Sequence, residues 1–218
     1  FAHQRIAAET EARARLMASH RTPEVGLTEI YDVLAELLSL APPQREYLMQ
    51  QELELEHRFC HPNPIMQGLF PVAGQAGRQV VLCSDMYLPP WFIEKLLLSC
   101  GYNQPYTLLV SGEQRKSKHE GTMYHEVLKR FAAQPHEVIH FGDNAHADVK
   151  IAAKTGIKPE LFDYLHRRAE PRLRIPPDKP AQDGHVWSLM AGSIRRRLME
   201  KEYDFWSDIG LQVFGPMI

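Results

Sequence analysis

The stretch VVLCSDMYLP, residues 80–89, decides how this chain is read. Its apolar half suits a strand buried on both faces, as in a parallel sheet. It then breaks off at a hydroxyl (Ser84) and an acid (Asp85), and Pro89-Pro90 follow shortly after. Pro90 is well placed as the first residue of a helix, Phe92, Ile93, Leu96, Leu97 and Cys100 form one face of that helix, and Gly101 closes it. The passage is therefore a strand, a turn and a helix.

Working outward, QVVLC (79–83) has two companions, YTLLVS (106–111) and EVIHF (137–141). The segments between these strands have helical period, and Tyr124, Val127, Leu128 and Phe131 make a second apolar face. Short apolar strands alternating with amphipathic helices imply a parallel sheet with right-handed crossovers. Such sheets bind ligands beyond the carboxyl ends of their strands.

The first sixty residues are different. In TEIYDVLAELLSL, Ile30, Val33, Leu34, Leu37 and Leu38 recur at helical spacing, with Thr28 as the expected N-cap and Pro42-Pro43 as the stop. REYLMQQELELEHRF repeats the pattern through Leu48, Leu55 and Phe59. The opening stretch sets Arg5, Ala8, Glu9, Ala12 and Arg13 on one stripe. The expectation is an all-helical module over 1–62, an α/β core over 63–165 and a Pro-rich linker with a C-terminal extension over 166–218.

Composition narrows the function classes. A net charge of −2 gives no electrostatic case for nucleic acid, and no run of eighteen apolar residues suggests a membrane span. Cys60, Cys83 and Cys100 are odd in number and have no C-x-x-C spacing, which fits a reducing, cytoplasmic setting. Phosphorylated or acidic small molecules remain open as ligands.

Each strand tip carries polar groups. Ser84 either caps the following helix or holds a phosphate oxygen beside free backbone N–H groups. Asp85 either touches substrate or bonds the turn backbone. Ser111 is followed by GEQRKSK, whose Lys118 faces an anion or simply solvent, with Lys116 as its substitute if the loop register differs. GDNAHAD (142–148) presents Asp143 and, five residues on, Asp148. Hard carboxylates at a strand end suit Mg²⁺, which keeps several waters and takes one or two carboxylates; otherwise Asp143 caps the next helix. His140 and His146 flank this tip, as substrate contacts or as packed side chains.

Ser84, Lys118 and GDNAHAD resemble the second, third and fourth motifs of the haloacid dehalogenase (HAD) superfamily, most of whose members are Mg²⁺-dependent phosphatases. SDMYLP, SKHEGTMYHEVL, HFGDN and the terminal FWSDIGLQVFGPMI are similar in particular to a bacterial branch found beside or fused to glycosyltransferases of surface-polysaccharide synthesis. The resemblance implies a Rossmann-like parallel-sheet HAD core with a helical cap that closes over the site. It implies that Ser84 and Lys118 hold the phosphoryl group, that Asp143 ligates Mg²⁺, and that Asp148 supports the metal or Lys118. The substrate would be a phosphorylated small molecule or glycan intermediate.

One part of the pattern is missing. The family's first motif, D-x-D on the sheet's first strand, supplies the nucleophile and the acid/base, and the sequence contains no D-x-D. Because Phe1 falls within the expected cap, the expectation is that the motif precedes it and that the 218 residues are inactive by themselves. The alternative is a non-catalytic HAD-like scaffold or regulatory module of a glycosyltransferase-associated protein.

Overall fold

Helices come first along the chain. The computed structural model describes residues 1–162; the expected linker and C-terminal extension, with Trp187, Arg195–Arg197, Phe205 and Trp206, lie outside the described residues. Helix α1 (Ala2–His20) buries Ala8 and Ala12, and on the same stripe Glu9 pairs with Arg5 and Arg13 at i,i+4 spacing. Helix α2 (Leu27–Leu38) buries Ile30, Tyr31, Val33 and Leu34. Its cap is Gly26, not Thr28: the Glu29 carboxylate reaches back to accept the Gly26 N–H at 2.7 Å, which starts the helix ahead of Thr28. It ends where Ser39 turns left-handed at φ 52°.

Pro42-Pro43 do more than stop α2. They open α3 (Pro42–Phe59), where a missing N–H costs nothing. Helix α3 packs through Leu53, with Leu48 and Met49 partly buried, whereas Leu55 and Phe59 are exposed. The inward face is shifted from the expected one because Glu52 also points inward, to Arg5 and Tyr31.

Helix α4 (Pro64–Gln75) is capped by the Asn63 side chain and leads to strand β1 (Val81–Ser84). Helix α5 (Pro90–Ser99) starts at the expected proline, and Gly101 leaves it at φ 83°. Strand β2 (Thr107–Val110) pairs parallel to β1, Val81 opposite Thr107 and Ser84 opposite Val110. After one turn, α6 (Ser111–Gln114), and an irregular loop comes α7 (Thr122–Arg130). Strand β3 (Ile139–Gly142) is followed by a wide π-type helical segment, Ala145–Ile151, that tightens into α8 (Ala152–Lys154). Strand β4 (Lys158–Leu161), which the sequence reading did not contain, pairs parallel to β3.

The fold is thus mixed α/β, with two two-stranded parallel sheets. Among the described residues β1 pairs only with β2, and β3 only with β4. Helix α7 spans the two sheets. Met123 and Val127 pack with Leu109, Val81 and Cys83, while Tyr124 and Leu128 pack with Val138, Ile151, Ala152 and Ile157.

The helical module and the first sheet share one core. Leu88, Phe92, Ile93, Leu96 and Val110 lie in the same buried cluster as Ala8, Ile30, Leu34 and Leu53. Polar contacts reinforce it: Leu27 N–H donates to the Tyr87 carbonyl at 2.8 Å, and the Arg5 guanidinium, bidentate on Glu52 at 2.8 Å, lies 4.9 Å from the Tyr87 ring. Gly112 is required by a close approach, since a Cβ there would stand 2.4 Å from the Val25 carbonyl oxygen. Moving the helices as a hinged lid would break this core.

Candidate functional site

The turn after β1 is fixed by the end of β2. Ser111, buried at the end of β2, accepts the Met86 N–H at 3.0 Å through its hydroxyl and so fixes the turn after β1. Ser84 ends β1 half-exposed. Helix α5 is capped by Pro89 without any side chain, so Ser84 is not its cap. Its hydroxyl has no hydrogen-bond partner among the described residues.

Asp85 is exposed on the same turn, and its carboxylate reaches across to the loop between α6 and α7. It accepts the Lys118 N–H at 2.9 and 3.0 Å and the His119 N–H at 3.2 Å. It thus binds backbone, as one of its two expected roles has it, but the backbone of another loop and not of its own turn. Lys116 pairs instead with Glu126 at 2.5 Å.

The Lys118 ammonium donates to Asp148 Oδ1 at 2.7 Å. Asp148 is 2% exposed; the same oxygen lies 3.0 Å from His140 Nε2, and Oδ2 accepts the Asn144 N–H at 3.0 Å. Burial by itself would raise the Asp148 pKa, yet the hydrogen bonds from His140 and Lys118 and the lysine charge outweigh it. They hold the carboxyl well below the usual range. Gly142 makes this position available, because a Cβ there would stand 2.3 Å from Asp148 Cγ. Tyr124 closes the far side: its hydroxyl donates to the Ala147 carbonyl at 2.9 Å and its ring meets His140 edge-on at 5.1 Å. Burial, with Asp148 beside it, raises the Tyr124 hydroxyl above its ordinary range. Burial likewise pushes the Cys83 thiol, one residue before Ser84, to about 12.

Asp143 is exposed at the β3 tip. It is not the helix cap either: Asn144 takes that role, its side chain accepting the His146 and Ala147 N–H groups at 2.9 Å. The Asp143 carboxylate has no partner among the described residues. Of the two carboxylates that the resemblance assigns to Mg²⁺, Asp143 is therefore open and Asp148 is committed to Lys118, His140 and a backbone amide. Among the described residues no three His, Cys, Asp or Glu side chains are grouped to hold a metal. Mg²⁺ takes one or two carboxylates, and of the two that the resemblance implies only Asp143 is uncommitted.

The three tips are thus joined: Asp85 binds the loop carrying Lys118, and Lys118 binds Asp148. His119, which the sequence reading passed over, lies against His146 with ring centroids 4.9 Å apart and the rings tilted by 37°; its position beside Lys118 was the available signal. Chemically, the cluster offers a free hydroxyl, an ammonium paired with a buried carboxylate, and one open hard carboxylate. Among the described residues no helix is long and apolar enough to cross a membrane. In comparisons with known proteins, no family model and no curated protein matches the chain.

Proposed function

We propose that the strand tips form a HAD-like phosphoryl-binding centre, whose ligand is a phosphorylated small molecule or glycan intermediate. The observation that carries this reading is the buried Lys118–Asp148 pair, flanked by the unpartnered Ser84 hydroxyl and Asp143 carboxylate. Ser84 would donate to a phosphoryl oxygen and Lys118 would neutralise its charge, each charge-assisted bond contributing about 1.5–3 kcal/mol. Asp148 orients Lys118 through the 2.7 Å contact. Asp143 would hold Mg²⁺, which would supply further neutralisation of the phosphoryl charge.

In this reading the two parallel strand pairs are parts of one Rossmann-like sheet. The edges of β1 and β3 that are unpaired among the described residues are where a HAD-type aspartate strand would pair. The 218-residue chain contains no D-x-D, and covalent transfer needs that nucleophile. The chain alone would therefore bind phosphoryl groups without hydrolysing them. That property would equally serve a non-catalytic module beside a glycosyltransferase.

The experiment is a titration with inorganic phosphate and Mg²⁺ followed by ³¹P NMR, together with a phosphatase screen on sugar phosphates and nucleotides. Saturable binding lost in Lys118→Met and weakened in Asp143→Asn is expected, with no turnover. Absence of saturable binding would sink the binding centre. Mg²⁺-dependent phosphate release that disappears in Asp143→Asn would overturn the statement that the chain is inactive by itself.

A further inference from the structure

We infer that Asp85 is a positioning residue for the lysine loop: by binding the backbone at Lys118 and His119 it fixes where the Lys118 ammonium stands. What the ammonium does rests on the reading above; its being held by Asp85 does not. The loop needs an anchor. It leaves α6 through Arg115 in the left-handed region at φ 54° and enters α7 through Gly121 at φ 79°, with no repeating hydrogen-bond pattern between them. Other contacts fix its neighbours: Thr122 Oγ1 accepts the Ser117 N–H at 2.9 Å and Ser117 Oγ accepts the Glu120 N–H at 3.2 Å. The Lys118 and His119 N–H groups have Asp85 as their acceptor.

Two successive N–H groups around one carboxylate make a small anion nest. The nest does two things. It occupies both Asp85 oxygens, so this acid is spoken for and does not confront an incoming phosphoryl group as a bare charge. It also ties the residue after Ser84 to the backbone of Lys118, coupling the hydroxyl and the ammonium in one rigid connection across 33 residues of sequence. Lys118 is then held at both ends, by Asp85 at its backbone and by Asp148 at Nζ. Because Asp85 is exposed, its removal leaves no buried cavity, and the substituted chain should fold.

The test uses the full 218-residue chain with Asp85→Ala and Asp85→Asn, and inorganic phosphate as the probe. In Asp85→Ala the Lys118 and His119 amides should exchange faster and the ¹⁵N resonance of the Lys118 ammonium should move. Phosphate should bind about tenfold more weakly, the equivalent of one charge-assisted hydrogen bond. Asp85→Asn, whose amide oxygen can take the place of Oδ2 and accept from both N–H groups, should recover most of each effect. Unchanged amide exchange and an unmoved Lys118 resonance in Asp85→Ala would overturn the inference. So would tighter phosphate binding, which would make Asp85 a repelling charge and nothing more. If the wild-type chain binds no phosphate, the proposed function fails, and the two NMR readouts still decide the role of Asp85.

Discussion

Helix α2 and the strands β1 and β3 draw on similarly apolar sequence and bury it to very different degrees. In α2, Ile30, Tyr31 and Leu34 have no exposed surface. In β3, Ile139 is 52% and Phe141 53% exposed, and no residue of β1 is fully buried. The reason lies in how each element satisfies its backbone. A helix closes its own hydrogen bonds and needs only a partner for its apolar stripe, which α1, α3 and α5 supply together. A strand needs neighbours along both edges and covers over both faces, and parallel strands with two apolar faces need all of them. Two strands alone are marginal; here the parallel pairs are supported by α7 on one side and by the polar cluster around Asp148.

The most direct way to break that comparison is truncation on each side of it. Leu34→Ala, in the shared core, should cost about 2–5 kcal/mol. Phe141→Ala should cost well under about 1 kcal/mol, as for an exposed position. Urea midpoints at equal m-values measure both. Equal costs would mean that β3 is covered in solution as thoroughly as α2.

A second substitution sharpens the comparison at the buried carboxylate of the strand half. Asp148→Asn leaves Lys118 without its counter-charge and should destabilise by about 3 kcal/mol at neutral pH. The pH dependence follows from the sign of the shift. The folded-state pKa of Asp148 is depressed, so the pair's contribution is complete above the unfolded-state value of about 3.9 and is lost as pH falls toward the lower folded value. Wild type should therefore lose stability more steeply below about pH 4 than Asp148→Asn does. Parallel profiles for the two proteins would show that the pair contributes nothing. Glu52, whose pKa is also depressed by Arg5 and Tyr31 against the opposing effect of burial, gives the helical half its own loss in the same direction, and Glu52→Gln separates the two.

How much of this was legible in the sequence follows the same division. The α2 period placed Ile30, Val33 and Leu34 inward as found because the information is local, but Leu37 is 52% exposed and the buried Tyr31 was not on the expected face. The three apolar strands were also legible, to within a residue or two at their ends. Strand β4 was not: Lys-Pro-Glu-Leu has no strand signature, and Pro159 is tolerable only where its missing N–H is not needed. At the site, Ser84, Lys118, Asp143 and Asp148 were picked out as polar groups at strand tips, and the structure joins Lys118 to Asp148 directly. Their division of labour was hidden. Asp143 and Asn144 are adjacent and both suited to capping, and only the turn geometry selects Asn144. The bond from Asp85 to the Lys118 amide spans 33 residues and that from Arg5 to Glu52 spans 47. No local pattern encodes partners at such separations.

The smallest expected effect tests whether the two halves differ in cap strength as they do in burial. Glu29 caps α2 from N3 and also holds Arg115 at 2.5 Å, whereas Asn144 caps the helical segment after β3 through two N–H groups at 2.9 Å. Each substitution to Ala should cost about 1 kcal/mol as a lost cap. The consequences should nevertheless part company. Glu29→Ala also frees Arg115 from its carboxylate partner, at the start of the lysine loop, but leaves Asp148 alone. Asn144→Ala keeps the backbone N–H that binds Asp148 Oδ2 while loosening the turn that presents it, so the Lys118 ammonium resonance should shift although its own partners are intact. If it moves only in Glu29→Ala, the lysine is set by its loop alone; if only in Asn144→Ala, by the helix that carries Asp148. A shift in both would mean that Lys118 reports on the helical half and the strand half together, which is what being held at its backbone and at its ammonium requires.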